Sequence, residues 1–316
     1  MIGRSFIGEN MKVFIDGSAG TTGLQIYERL RSRKDISLLT LPEELRKDGN
    51  ARRDALNQAD VAILCLPDEA AREAVSLIEN PETVVIDAST AHRVSEGWAY
   101  GFPELSKEHR MKIASSDKIA NPGCYASGFL AIVYPLVKAG ILPADSFVTC
   151  HAVSGYSGAG KKGIAQYEAA DRPSELKTPR LYALTQEHKH LPEMRLRSGL
   201  TRTPIFNPYI CDYYAGMTVS VPLFAEYLKG ENTSEKLLAF YRDYYAGCRF
   251  VSASKEESGY LGADKLVGTN KLEILVHGNA ERILLTARLD NLGKGASGAV
   301  IQNMNLRKGL DEGLSL

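Results

Sequence analysis

The sequence has no excess of charge of either sign. Its 38 Lys and Arg balance 38 Asp and Glu, which argues against the electrostatic footprint of a nucleic-acid or anionic-membrane binder. It has no apolar run near the ~20 residues of a membrane span, no internal repeat and no low-complexity tract. The opening MIGRSFIGEN (1–10) lacks the apolar stretch and cleavage site of a signal peptide, and reads as a ragged extension before Met11. Cysteine is sparse and odd in number: Cys65, Cys124, Cys150, Cys211 and Cys248 lie far apart. No pair has metal-ligand spacing, so no metal is expected, and free thiols suit a cytoplasmic location. Histidine is almost as scarce, with six residues. What remains is an ordinary globular composition, 44% hydrophobic and 24% charged, in a 316-residue chain long enough for two domains.

The first half alternates strand and helix patterns. MKVFIDG (11–17), SLLTL (37–41), DVAILCLP (60–67), TVVIDAST (83–90) and KIANP (118–122) are apolar runs. TTGLQIYERLRS (21–32) and the stretch from Asp68 to about Ile78 read as helices, the first with Leu24, Tyr27 and Leu30 on one side. Continuous apolar strands separated by helices indicate a parallel sheet covered on both faces, with ligands at the carboxyl ends of its strands. The second half has longer strand-like runs at 146–158, 216–224, 271–279 and 282–291, one clear helix at 232–247, and a polar segment, about 159–208, read as a long loop. A final helix at 297–309 is expected to pack back on the first domain. The fold class is therefore α/β: a Rossmann-type parallel-sheet domain (1–122 with 290–316) plus an α+β catalytic and dimerisation domain (123–289).

Residues 118–128, KIANPGCYASG, carry the most chemistry. Asn121-Pro122-Gly123 forces a sharp turn, so Cys124 stands between a strand and the start of an apolar helix. Free N–H groups at a helix start favour a thiolate and can hold an oxyanion. A buried cysteine in a tight turn is the competing reading. Gly17-Ser18-Ala19-Gly20-Thr21-Thr22-Gly23 follows the first strand and opens a helix. There Gly17 permits the turn, Gly20 lets a pyrophosphate approach the backbone, and Gly23 allows close packing. Glu43 and Glu44 lie where a ribose-binding acid is expected, while Arg46, Lys47, Arg52 and Arg53 are suited to a 2′-phosphate. The balance leans to NADP, and a solvated charged face explains all six equally. His188 and His190 lie in TQEHKHLPEM (185–194). In an extended loop they point to opposite sides, so one of them meets Cys124. His190 is the candidate proton partner, oriented by Glu193 or Glu187.

Three further segments leave strands on the ligand side. In DASTAHR (87–93), Ser89 and Arg93 suit an anionic group. SGYSGAGKK (154–162) is a nest or flap. In DNLGKGAS (290–297), Asn291 suits a nicotinamide carboxamide, with Gly293 and Gly295 letting the chain pass under the cofactor. Tyr156, Lys161, Lys162, Tyr182 and Arg180 are unranked candidates for the rest of a substrate.

Together these segments, with AILCLPDEAA (62–71), WAYGFPEL (98–105) and IQNMN (301–305), resemble N-acetyl-gamma-glutamyl-phosphate reductase of the shorter type 2 subfamily, and more distantly aspartate-semialdehyde dehydrogenase. The resemblance spans nearly the whole chain after Met11. It implies NADPH-dependent reduction of N-acetylglutamyl 5-phosphate to the 5-semialdehyde with release of phosphate, in arginine biosynthesis. It puts the nucleophile on Cys124, which forms a thioester, the acid/base on His190, and the displaced phosphate on Arg93. A homo-oligomer, dimer or tetramer, is expected, without nucleic acid or membrane. Reduction of aspartyl or N-acetyl-aminoadipyl phosphate is the nearest rival, and a nucleotide-sensing protein without catalysis the more distant one.

Overall fold

The computed structural model describes residues 10–230, 232–255 and 259–316; residues 1–9, most of the expected ragged extension, lie outside them. The chain forms two compact units, Met1–Pro122 with Ala296–Leu316, and Gly123–Gly295.

The first unit is built in chain order from β1 (Met11–Asp16), α1 (Thr21–Leu30), β2 (Ile36–Leu39), α2 (Gly49–Gln58), β3 (Val61–Leu64), α3 (Asp68–Ser76), β4 (Val84–Asp87), β5 (Ala99–Tyr100), α4 (Lys107–Ser115) and β6 (Lys118–Ala120). All strand pairings are parallel, in the order β2-β1-β3-β4-β6-β5. Alternate residues of one strand enter opposite layers. Val13, Ile15, Ile63 and Ile86 pack with Ile26 and Leu30 of α1, whereas Phe14, Ala62, Leu64 and Val85 pack with Leu56 of α2 and Ala74 of α3. A sheet covered on both faces explains why its strands read as unbroken apolar runs. The buried face of α1 is Gly23, Ile26 and Leu30, and Leu24 is exposed. The face is rotated from the expected one because the backbone packs closely at Gly23: an added Cβ would stand 2.4 Å from the Gly17 carbonyl oxygen.

The second unit contains α5 (Cys124–Lys138), β7 (Thr149–Gly155), α6 (Gly160–Glu168), β8 (Arg180–Leu181), α7 (Leu191–Ser198), β9 (Ile205–Cys211), β10 (Met217–Phe224), α8 (Ser234–Tyr244), β11 (Val251–Ser254), β12 (Leu272–Gly278) and β13 (Arg282–Leu289). Its mixed sheet runs β11-β12-β13-β10-β7-β9-β8. The segment 159–208, read as loop, instead holds α6, β8, α7 and the start of β9. A π-helical turn at Gly293–Ser297 leads into α9 (Gly298–Arg307), whose Val300, Ile301 and Met304 join the core of the first unit.

The helix α5 is apolar nearly all round and buried, as such a helix must be. Gly128 sets its distance from the sheet, since a Cβ there would meet the Val219 side chain at 2.6 Å. Pro135 cannot donate to the carbonyl of Ala131. The Tyr245 hydroxyl donates to that carbonyl instead, at 2.8 Å, and the Tyr241 hydroxyl donates to Ile132 O at 2.7 Å. Both phenols are buried, so these bonds satisfy groups that burial would otherwise leave costly.

Candidate active site

The glycine loop leaves β1 at the carboxyl end of the parallel sheet. Gly17 has φ +85°, and a Cβ there would lie 2.3 Å from the Cys65 carbonyl oxygen, so only glycine fits. Gly20 donates its N–H to Gly17 O at 3.0 Å and caps α1. This leaves the first N–H groups of α1, at Thr21, Thr22 and Gly23, without intrahelical acceptors, as at any helix start. Beside the loop is a cavity of about 500 Å³, lined by Asp16, Gly17, Ser18, Thr40, Arg46 and Lys47 among others. Of Glu43, Glu44, Arg46, Lys47, Arg52 and Arg53, the residues Glu43, Arg46 and Lys47 line it. Arg52 does not: it is buried in an ion pair with Asp16 at 3.0 Å and reaches Glu73. Burial raises the Asp16 carboxyl pKa despite that pair. Arg53 is turned toward Glu79 at 3.9 Å. A glycine cradle, an unsatisfied helix start and a basic wall fit a dinucleotide.

At the exit of β4, Asp87 is fully buried and organises the DASTAHR turn. It accepts from the Ser89 hydroxyl at 2.7 Å and the Ser89 N–H at 2.9 Å, and pairs with His92 Nδ1 at 2.7 Å. His92 stacks on Trp98, with centroids 4.0 Å apart. The Ser89 hydroxyl also accepts from Ala91 N–H. The Arg93 guanidinium is buried and donates to Asn121 O at 2.9 Å and Ala88 O at 3.1 Å. Sequence reading named Ser89 and Arg93 but missed Asp87 and His92. The signal was a carboxylate as the last residue of a parallel strand.

In the second unit, Cys124 is the first residue of α5, half-buried, with Gly123 as N-cap. Three of the other cysteines are poor thiolates. Burial, then the charges of Asp87 and Asp16, push the Cys65 thiol up to about 12, and burial pushes Cys150 and Cys211 up as well. Cys124 opens on a cavity of about 340 Å³ shared with Tyr125, Ser154, Arg180, Tyr182, His188 and Lys189.

The His188-Lys189-His190 segment is a turn, not an extended loop. His188 Nδ1 accepts the His190 backbone N–H at 3.1 Å, and Leu191 N–H donates to His188 O. The two rings therefore lie on one side, 4.8 Å apart, and each is 5.9 Å from the Tyr125 ring. An accepting Nδ1 puts the proton of a neutral His188 ring on Nε2. His190 is buried and caps α7. Glu193, in the first turn of α7, accepts the Gly123 N–H at 3.0 Å and is itself buried. The starts of α5 and α7 are thus tied together, which holds Cys124 and His190 in one neighbourhood. Glu187 is exposed. Tyr125 is hydrogen-bonded to Tyr182 and Ser154, and burial raises the pKa of both phenols, so both stay protonated.

Asn291 is buried with its amide committed within the unit. Its Oδ1 accepts from Gly216 N–H at 2.8 Å and its Nδ2 donates to the Ser157 hydroxyl at 2.8 Å. Gly295 lies against Cys124: an added Cβ would stand 2.7 Å from Cys124 Cβ. The glycine spacing of DNLGKG was legible, but the group it makes room for was not. Among the described residues no cluster of three His, Cys, Asp or Glu is arranged to hold a metal, and no helix is long and apolar enough to cross a membrane.

A parallel sheet with a glycine cradle, joined to a mixed-sheet unit bearing a cysteine at a helix start, defines the semialdehyde dehydrogenase class of two-domain enzymes. Residues 12–113 match the semialdehyde dehydrogenase NAD binding domain, and 124–291 the semialdehyde dehydrogenase dimerisation domain. Aspartate-semialdehyde dehydrogenase from Francisella tularensis superposes with a TM-score of 0.72 at 15% identity, over 94% of this chain and all of that one. The Vibrio cholerae enzyme complexed with ASA gives 0.70 at 15% identity, over 95% and 98%. At that identity the likeness shows the fold. Sequence relatives are more specific. N-acetyl-gamma-glutamyl-phosphate reductase 2 of Pseudomonas putida is 48% identical over 94% of this chain and 96% of its own. The Nostoc protein of the same name is 46% identical over 96% and 99%. The chain belongs to the N-acetyl-gamma-glutamyl-phosphate reductase family.

Proposed function

We propose that the protein reduces N-acetyl-L-glutamyl 5-phosphate to N-acetyl-L-glutamate 5-semialdehyde and phosphate, in arginine biosynthesis, through a thioester on Cys124. The observation that carries this reading is the tie between the starts of α5 and α7, which holds a half-buried thiol and a buried histidine in one neighbourhood. The Cys124 thiolate attacks the acyl-phosphate carbon and expels phosphate. The N–H groups at the start of α5 are donors suited to the oxyanion that forms. A nicotinamide dinucleotide held by the glycine loop would supply the hydride that takes a thioester to the aldehyde level. The oxyanion of the adduct then collapses to the aldehyde carbonyl as the C–S bond breaks, and His190 gives its proton to the departing Cys124 sulfur, taking it back when the thiolate is next needed. His188, whose Nδ1 is used by the backbone of His190, fixes the turn on which His190 stands.

The glycine loop (Gly17, Ser18, Gly20, Thr21, Thr22 and Gly23) holds the pyrophosphate, and Arg46 and Lys47 take the 2′-phosphate of NADP. Their place in the cavity wall, and the withdrawal of Arg52 into an ion pair, support this division. Arg93 and Ser89 serve the phosphate group, and Asn291 fixes the 154–158 turn. A second copy docks on the outer face of the mixed sheet. There His151, Ser220 and Thr286 stand in register, next to a row of Pro222, Leu284 and His277. Leu284 is 41% exposed on that face, an apolar surface that an isolated subunit would leave in water. A cytoplasmic enzyme is consistent with five cysteines that form no disulfide among the described residues.

The test is NADP reduction with N-acetylglutamate semialdehyde, with and without phosphate. Phosphate-dependent turnover that is abolished by Cys124→Ser, with NADP binding retained, is the expected result. Turnover surviving in the serine variant would remove the thioester from the mechanism.

A further inference from the structure

The thiol cavity contains a cation whose position suits it to measure the length of the substrate. Arg180 lies on the edge strand β8, in register with Ile210 of β9, which is in register with Ser154 of β7. All three residues line the cavity. Residues paired across neighbouring strands face the same side, and strands stand ~4.8 Å apart. The Arg180 backbone is therefore about 10 Å from that of Ser154, within the reach of an arginine side chain plus a short ligand. Tyr182, two residues on, faces the same way and lines the same cavity.

The guanidinium is steadied from one side. It lies 5.6 Å from the centroid of the Tyr167 ring, which is buried and stacks on Tyr156 at 4.7 Å. Among the described residues no carboxylate pairs with Arg180. Arg172 nearby in sequence, by contrast, has both guanidinium nitrogens on Asp212 at 2.7 Å. A held arginine without a protein anion, opening on the cavity of a nucleophile, selects an anionic ligand, and its planar fork matches a carboxylate in bidentate fashion. Arg180 and the other cation of the cavity, Lys189, are both exposed, but Lys189 stands on the tip of the histidine turn, whereas the Arg180 guanidinium lies over the Tyr167 ring.

We infer that Arg180 is a specificity-determining residue that binds the α-carboxylate of the substrate while its far end is bonded to Cys124. The inference rests on the reductase reading given above. In a glutamyl thioester, four carbon–carbon bonds of about 1.5 Å each separate the reacting carbon from the carboxylate carbon. An aspartyl chain is one bond shorter and draws the carboxylate away from the fork. Recognition through a charged hydrogen-bonding group discriminates more sharply than a pocket wall that measures one methylene.

The experiment compares N-acetylglutamate semialdehyde with its α-methyl ester in the unmodified enzyme, Arg180→Gln, Arg180→Lys and Lys189→Gln. The unmodified enzyme should prefer the acid in kcat/KM. Arg180→Gln should lose about 30-fold on the acid, the low end for a lost charge partner because the site is partly open. It should change little on the ester and melt at an unchanged temperature. Arg180→Lys should fall between them, keeping the charge without the fork. An acid-to-ester ratio unchanged in Arg180→Gln, an equal loss on both substrates, or collapse of the ratio in Lys189→Gln alone overturns the inference. No turnover of either substrate by the unmodified enzyme overturns the reductase reading, and this inference with it.

Discussion

Replacing Gly295 with alanine tests the site more sharply than replacing any group thought to react. The added methyl would stand 2.7 Å from Cys124 Cβ and 3.2 Å from its Cα. Carbon atoms pack at about 3.5–4.0 Å, so one side must yield by roughly 1 Å. Neither moves freely. Gly295 donates its N–H to Asp290 O at 3.0 Å. Cys124 begins a helix whose cap is held by Glu193 and whose Gly128 already abuts Val219. Overpacking of this kind costs about 1–3 kcal/mol, or a fall in melting temperature of about 2–5 °C in a chain of this size. Displacing a nucleophile by about 1 Å costs on the order of 10² in rate, which is about 2.7 kcal/mol of barrier. The assays are steady-state NADP reduction and the rate of Cys124 alkylation by iodoacetamide, both below the melting transition. Gly158→Ala is the control. Gly158 lines the same cavity, but its Cβ would meet nothing nearer than Asn291 Nδ2 at 3.4 Å, so turnover should hold within about threefold. Gly295→Ala with undiminished turnover would refute the claim that backbone proximity at 295 sets the position of the thiol.

His190→Asn should slow turnover by about 10²–10⁴. His188→Asn keeps an acceptor for the His190 N–H and should cost less than about tenfold; the reverse order would exchange their roles. Arg46→Ala and Lys47→Ala should each raise the KM for NADP about tenfold and leave that for NAD nearly unchanged, the size expected for one exposed charge on a phosphate; equal losses for both cofactors would place the 2′-phosphate elsewhere. Burial alone would raise the Glu273 pKa, but hydrogen bonds from Ser254 and Arg288 outweigh it and hold it below its ordinary value. A depressed carboxyl contributes stability above its unfolded value, near 4.5, and loses it as pH falls through the folded value. Glu273→Gln should therefore flatten the loss of stability below that pH. At neutral pH it should cost about 1–3 kcal/mol, because the Arg288 side chain is 1% exposed and loses its charge partner; urea melts of both proteins across pH 3–7 read this, and parallel acid limbs would deny the linkage.

The parallel sheet was readable because its central apolar runs, β1, β3 and β4, are buried on both faces, and the glycine loop because its constraint is local: Gly17 needs a positive φ whatever surrounds it. The segment 159–208 was not readable. α6 and α7 are short and weakly patterned, β8 is two exposed residues long, and β9 carries Pro208 inside it, which in a sequence argues against a central strand. Pairing with β7 decides β9, and no local signal reports it. The histidine turn failed for the same reason. Spacing alone separates His188 from His190 in an extended chain, but the packing of α7 against α5 makes His190 a helix cap and turns both rings to one side.

The glycines at 293 and 295 show where such reading stops. A glycine in a strand exit declares that something comes close to the backbone. It does not say what. A cofactor was the reasonable guess for both, because the segment leaves a strand on the ligand side. The structure assigns the space differently at each: a Cβ at Gly293 would strike Thr269 O at 2.2 Å, and one at Gly295 would strike Cys124. At Asn291 the amide oxygen accepts from Gly216 N–H and one amide N–H donates to Ser157. The DNLGKG segment therefore packs against Cys124 and braces the turn after β7. Variants along it should alter kcat and thiol reactivity before they alter the affinity for NADP, which equilibrium titration of Gly295→Ala with NADPH would read directly.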